Sequence, residues 1–215
     1  MRTAVWLIGG AAALSACMPT EAPTDEPTTT VAEVPVRLSE AEVTAANGAA
    51  GCEAFDERDD ASAQHVDEDA PSADVLYERR PAAAGDHLGA WIDVGVHRDD
   101  APDERAVVHN HEHGAVSVWY APDAIGEEGL DLLTTWAEAR NEHLANDAGA
   151  GVIVAPFVDG LDGDAVAFRS WTGGLDCAAF DPLVGDGFLL ERFGDAPEGA
   201  LAPSLAGIID GATAA

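Results

Sequence analysis

The chain has 215 residues, with ten arginines and no lysine against forty aspartates and glutamates, for a formal net charge of −30. That length fits one domain with extensions, and 47% hydrophobic residues suffice for a core. So acidic a chain repels polyanions and has no cluster of cationic side chains for phosphates, which argues against a nucleic-acid partner. The acidity suits either a high-salt habitat or a composition that replaces lysine with arginine, and the sequence favours neither.

Arg2 followed by the apolar run from Ala4 to Ala13 has the form of an export signal and is too short to span a bilayer. The run ends in Leu14-Ser15-Ala16-Cys17, which resembles the lipobox of bacterial lipoproteins. The resemblance implies a signal peptide over residues 1–16 and an acylated Cys17. The mature chain is then anchored by lipid to the outer face of the membrane or its periplasmic side, and the membrane is its one expected partner. Residues 17–50 are expected to be the lipidated N-terminus and a disordered acidic Thr/Pro linker. Within them, Ser39-Glu40-Ala41-Glu42 has the form of a capping box, with Asn47-Gly48 as a helix stop. With Cys17 taken by lipid, Cys52 and Cys177 remain, and two thiols outside the cytoplasm are expected to pair.

The folded domain is expected over residues 51–195, with residues 196–215 a loosely held tail. Strands are expected over Ala90–Val96, Ala106–Val108 and Ala115–Tyr120. A helix follows from Pro122 to about His143, with Leu130, Leu133, Trp136, Ala137 and Arg140 on one face. Gly151–Pro156 and Ala165–Trp171 read as two more strands. Asp159–Asp164 between them reads as a polar hairpin turn, because its carboxylate spacing misses the calcium-loop pattern. A last helix is expected over Pro182–Phe193. Helices and strands mixed without regular alternation predict a single α+β domain, a mainly antiparallel sheet with helices packed on one side. There is no internal repeat, phosphate-binding loop, GxGxxG or GxSxG.

Six of the seven histidines fall between positions 65 and 113, three of them in Val108-His109-Asn110-His111-Glu112-His113-Gly114. Imidazole is the commonest protein ligand for zinc and copper. On a helix, His109 and His113 lie one turn apart, as inverted HxxEH zinc peptidases require, with Glu112 as base. On a strand, His109, His111 and His113 share a face. The valines before the motif and the glycine and strand after it favour an extended or turning backbone. His143, near a helix end, reads as a favourable C-terminal charge.

The order His65, Tyr77, Pro81, Gly85-Asp86-His87, Trp91, Gly95, Glu104, Val108-His109, Glu112-His113-Gly114 and Tyr120 resembles the secreted and membrane-anchored bacterial proteins grouped as domain of unknown function 3105. The resemblance covers about residues 50–195 and departs at Arg80, Val94 and His97. It implies marked positions at His65, His87, His109, Glu112 and His113, and no reaction. His111 is an addition here and a possible extra ligand. The leading expectation is a copper or zinc ion held by His109 and His113 with His87 and His65, Glu112 orienting an imidazole from behind. Two alternatives stand beside it: a metal-dependent hydrolase with Glu112 as base, and a metal-free surface interaction module with a structural histidine network.

Overall fold

The computed structural model describes residues 36–57 and 62–211, which lie in one compact unit; the expected export signal and Cys17 fall outside them. The chain enters this unit through β1 (Val36–Leu38) and α1 (Glu40–Ala49). The capping box is complete: the Ser39 hydroxyl accepts the Glu42 amide, and the Glu42 carboxylate accepts the Ser39 amide. Then come β2 (Cys52–Asp56), β3 (His65–Val66), α2 (Ala73–Leu76), β4 (His87–Leu88) and β5 (Gly95–Val96). After them run α3 (Glu104–Glu112), β6 (Val116–Tyr120), α4 (Pro122–Leu144, interrupted at Gly126), β7 (Val152–Pro156), β8 (Val166–Ser170) and β9 (Gly173–Cys177). α5 (Pro182–Arg192), a 3-10 turn (Gly199–Leu201) and β10 (Ile209–Gly211) complete it.

Six strands form the main sheet in the order β2-β9-β8-β6-β7-β5. The first three pairings are antiparallel and the last two parallel, so the mainly antiparallel α+β class holds. Side chains alternate across a strand, and β6 divides the core accordingly. Val116, Val118 and Tyr120 join Leu133, Trp136, Ala137, Val184, Phe188 and Leu189 from α4 and α5. Trp119 points the other way, into a smaller cluster with Val107 of α3, Ile153 and Ala167. Three helices therefore cover one face, but α3 covers the other, which corrects the expectation of helices on one side only. Burying each of the valine, leucine, isoleucine and phenylalanine side chains among them stabilises the fold by about 1.5–3 kcal/mol.

Three further expectations change. Residues 36–50, taken as linker, are structured: β1 pairs in parallel with β10, Val36 opposite Ile209, and α1 contributes buried Ala46 to the core. The same pairing docks the C-terminal segment, where Ile209 is buried, so residues up to 211 are part of the fold. Asp159–Asp164 turns the chain without closing a hairpin, because β6 lies between β7 and β8. The expected disulfide is present, joining Cys52 and Cys177 as direct partners across β2 and β9.

Candidate metal centre

α3 carries the histidine motif, where an extended backbone was expected. Asp103 caps its start by accepting the Arg105 amide, and the helix ends at Gly114, whose φ of +93° takes the chain into β6. The two valines that resemble a strand are each fully buried on a different side of the helix, Val107 against the sheet and Val108 beside Tyr77, Ala82 and Trp171. Burial on both sides overrides the weak β preference of valine.

Glu104, in the first turn, reaches back to the preceding loop. Its buried carboxylate accepts the Ala82 amide and the Arg80 guanidinium, the latter at 2.8 Å. Burial nevertheless raises the pKa of this carboxyl. The loop so anchored delivers His87, which pairs in register with His65 in the short parallel ladder of β3 and β4. Asn110 performs the same service on the other flank. It accepts the Ile92 amide and donates to the Ile92 and Gly149 carbonyls, placing Trp91 over the rings of His113 and His109 at 4.9 and 5.4 Å. Gly149 must be glycine here, since a Cβ would come within 2.5 Å of the Trp91 ring.

Four imidazoles and two carboxylates converge. His65 stacks on His109 at 4.8 Å, and the His87 ring stands on edge to both. His87, His109 and His113 are buried, whereas the His65 side chain is 55% exposed and opens the cluster to solvent. Donor atoms within 4.8 Å of one another form two groups, His65 with His87 and His109, and His109 with Glu112 and His113. The expected four-histidine set is brought together, but as two groups that share His109.

The Nδ1 atoms decide the chemistry of the Nε2 atoms. His87 Nδ1 faces the Gly85 carbonyl at 2.9 Å, His109 Nδ1 the Leu88 carbonyl at 2.7 Å, and His113 Nδ1 the Ala148 carbonyl. A carbonyl can only accept, so each Nδ1 carries the proton and each neutral ring presents an Nε2 lone pair. The lone pairs of His109 and His113 then face each other at 3.0 Å. His87 Nε2 likewise faces Glu112 Oε2 at 3.1 Å, with His65 Nε2 3.6 Å from the same oxygen. Acceptors confront acceptors, an arrangement that needs a cation or an added proton among them. Burial first, and then the neighbouring imidazoles, push the His109 pKa down, which disfavours the proton.

His111 is a correction to the expected ligand set. Its ring is fully buried away from the cluster, between the Ala83 carbonyl and the Ser117 hydroxyl, with burial pushing its pKa down to about 3. It is a satisfied core residue. Glu198 was not anticipated: its Oε2 lies 3.3 Å from His113 Nε2, and its amide donates to the Glu112 carbonyl. No local pattern marks it, because the segment from Phe193 to Leu201 reaches the motif only through tertiary docking, with the Gly194 amide on the Gly114 carbonyl.

The family described as "Protein of unknown function (DUF3105)" matches residues 65–203. The chain belongs to this family. The match spans all six converging side chains, from His65 to Glu198, and the DUF3105 segment coincides with the part of the fold that builds the cluster. No curated protein and no solved structure matches the chain.

Proposed function

We propose that this protein binds a transition metal ion, copper or zinc, through the histidine cluster on α3 and the two short strands facing it. The observation that carries the reading is the His109–His113 pair: two Nε2 lone pairs 3.0 Å apart, each ring held in that tautomer by a backbone carbonyl. Two ligands on one tetrahedral ion at about 2.0–2.1 Å are about 3.3 Å apart, close to that spacing. Carbonyl groups on the far ring nitrogen are the usual support of a metal-bound histidine. Imidazole and carboxylate donors without thiolate suit zinc and copper(II).

The same reading takes the protein to be a lipid-anchored one outside the cytoplasm. The disulfide fits an oxidising compartment, and among the described residues no helix is long and apolar enough to cross a membrane. The lipobox at Cys17 supports attachment by lipid.

Calorimetry on metal-stripped protein tests the metal reading. Zinc and copper(II) bind wild type tightly, and the double variant His109→Ala, His113→Ala loses binding while His143→Ala, outside the cluster, keeps it. Affinity falls on acidification, since a protonated imidazole cannot ligate, and because burial lowers the His109 pKa its protonation competes only below the ordinary imidazole range. Equal, weak uptake by wild type and double variant would reduce the site to an acidic surface that collects ions.

A second reading follows from the helical placement of the motif, which sets His109 and His113 one turn apart with Glu112 beside them, the arrangement of a hydrolase with Glu112 as base. Glu112→Gln separates the two. A supporting or ligating carboxylate costs affinity, about 10–100-fold for a support, whereas a base leaves the metal bound and removes turnover. Absence of any metal binding by wild type supports the third alternative, a surface module with a structural histidine network.

A further inference from the structure

We propose that the cluster passes one ion at a time between two overlapping seats, an outer one at His65, His87 and His109 and an inner one at His109, Glu112 and His113, and so takes up and hands over metal. The inference rests on the metal reading above and deepens it from binding to transfer.

Each seat is a set of donor atoms that all lie within 4.8 Å of one another. Ligands on one ion at about 2.1 Å lie at most about 4.2 Å apart, so small side-chain shifts complete either set. His109 belongs to both. Its Nδ1 donates to the Leu88 carbonyl at 2.7 Å, which leaves a single lone pair, on Nε2. One lone pair ligates one ion, so an ion in either seat denies His109 to the other. Neither set joins His113 to His65 or His87. The seats are therefore alternatives for the same ion.

Burial and charge rank them. The outer seat includes His65, whose side chain is 55% exposed, whereas His109, Glu112 and His113 are all buried. An ion arriving from solvent meets His65 first. The outer seat offers imidazoles alone, and the inner seat adds a carboxylate. A buried carboxylate attracts a dication far more strongly than it would in water, so the inner seat retains the ion. The crossing is a ligand exchange: His109 stays bound while His65 and His87 give way to Glu112 and His113. As many bonds to the ion form as break, and no electron moves. Glu112 is placed for this exchange, since its Oε2 lies 3.1 Å from His87 Nε2 and 3.6 Å from His65 Nε2, and a carboxylate oxygen also belongs to the inner set. Handover runs the same path in reverse, an external donor group displacing the outer imidazoles beside His65.

Zinc loading and release by the metal-stripped full chain are followed by stopped flow with a chromophoric chelator. Equilibrium dialysis at high salt gives stoichiometry and affinity, with circular dichroism confirming the fold of each variant. Wild type takes one tight equivalent. His65→Ala keeps it with affinity changed by less than about threefold, and slows loading and release together by about tenfold or more, because the ion then waits for the buried seat to open. His113→Ala also keeps one equivalent, now in the outer seat, bound about tenfold or more weakly and released faster than from wild type. Two tight equivalents in wild type overturn the sharing of His109. Loss of the equivalent in His65→Ala makes His65 a ligand of the resting ion and overturns the division into seats. Loss of all binding in His113→Ala removes the outer seat and overturns the proposal as well. Wild-type rates in His65→Ala mean that the ion enters elsewhere, past the exposed Glu198 beside His113, and overturn the transfer route. No tight equivalent in wild type overturns the proposal together with the metal reading beneath it.

Discussion

His111 Nε2 lies 2.8 Å from Ser117 Oγ, joining α3 to β6 inside the core directly behind the histidine cluster. Its other nitrogen donates to the Ala83 carbonyl at 3.0 Å, so one neutral ring ties together the helix, the sheet and the loop that leads to His87. Burial holds this imidazole down to about 3, against about 6.5 in an unfolded chain. Between those values the unfolded chain binds a proton that the folded one refuses. The contribution is complete above pH 6.5 and is lost as pH falls towards 3, at up to about 1.4 kcal/mol per pH unit. Urea unfolding of metal-free protein from pH 7.5 to 4 shows a steeper loss for wild type than for His111→Gln. Parallel curves would remove His111 from the account.

Arg169 anchors the same loop from the sheet side. Its side chain, 2% exposed, donates to the Pro81 carbonyl at 2.7 Å and pairs with Asp176 at 2.6 Å. Arg169→Ala leaves the Pro81 carbonyl unpaired and takes one of two neighbouring guanidinium groups from the quarter-exposed Asp176 carboxylate, at an expected cost of about 1–3 kcal/mol, the usual range for a lost hydrogen bond to a charged group. Denaturant unfolding measures it, and a change below about 1 kcal/mol would mean that water replaces the guanidinium at no cost.

The strand elements show how much the sequence could say. β6, α5 and the α1 cap are legible because each carries its signal locally: alternating or continuous apolar runs, Pro182 after the capping Asp181, the Ser39–Glu42 reciprocity. β2 and β9 went unread. Gly173 and Gly174 leave no hydrophobic alternation, and their lack of side chains makes room for Arg192 and Phe55, a packing reason that no window of sequence displays. The histidines of the candidate site were legible from their density alone, but their grouping was not. Whether His109 pairs with His113 or with His111 depends on the backbone of α3, and that depends on Val107 and Val108 finding apolar partners on two sides at once.

The disulfide closes a separation of 125 residues. On a chain-entropy account so long a loop stabilises the fold by about 5 kcal/mol, as an upper figure. Thiol counting on unreduced, denatured mature protein should find neither Cys52 nor Cys177 free, and reduction should lower the unfolding midpoint. Two free thiols would contradict the pairing.

Attachment by lipid is tested at Cys17. Cys17→Ser is expected to release the protein from membranes or stop its processing, followed by lipid labelling and fractionation. Membrane attachment of the wild type without incorporated label would reject the anchor.

The central claim is that the facing nitrogens of His109 and His113 are drawn together by a metal ion. Anomalous diffraction at the zinc edge from crystals of the zinc-loaded protein tests it most directly. The account predicts a peak about 2.0–2.1 Å from both Nε2 atoms, with both Nδ1 atoms still on the carbonyls of Leu88 and Ala148. Peaks confined to surface carboxylates, with the two rings unchanged and no density between them, would contradict it.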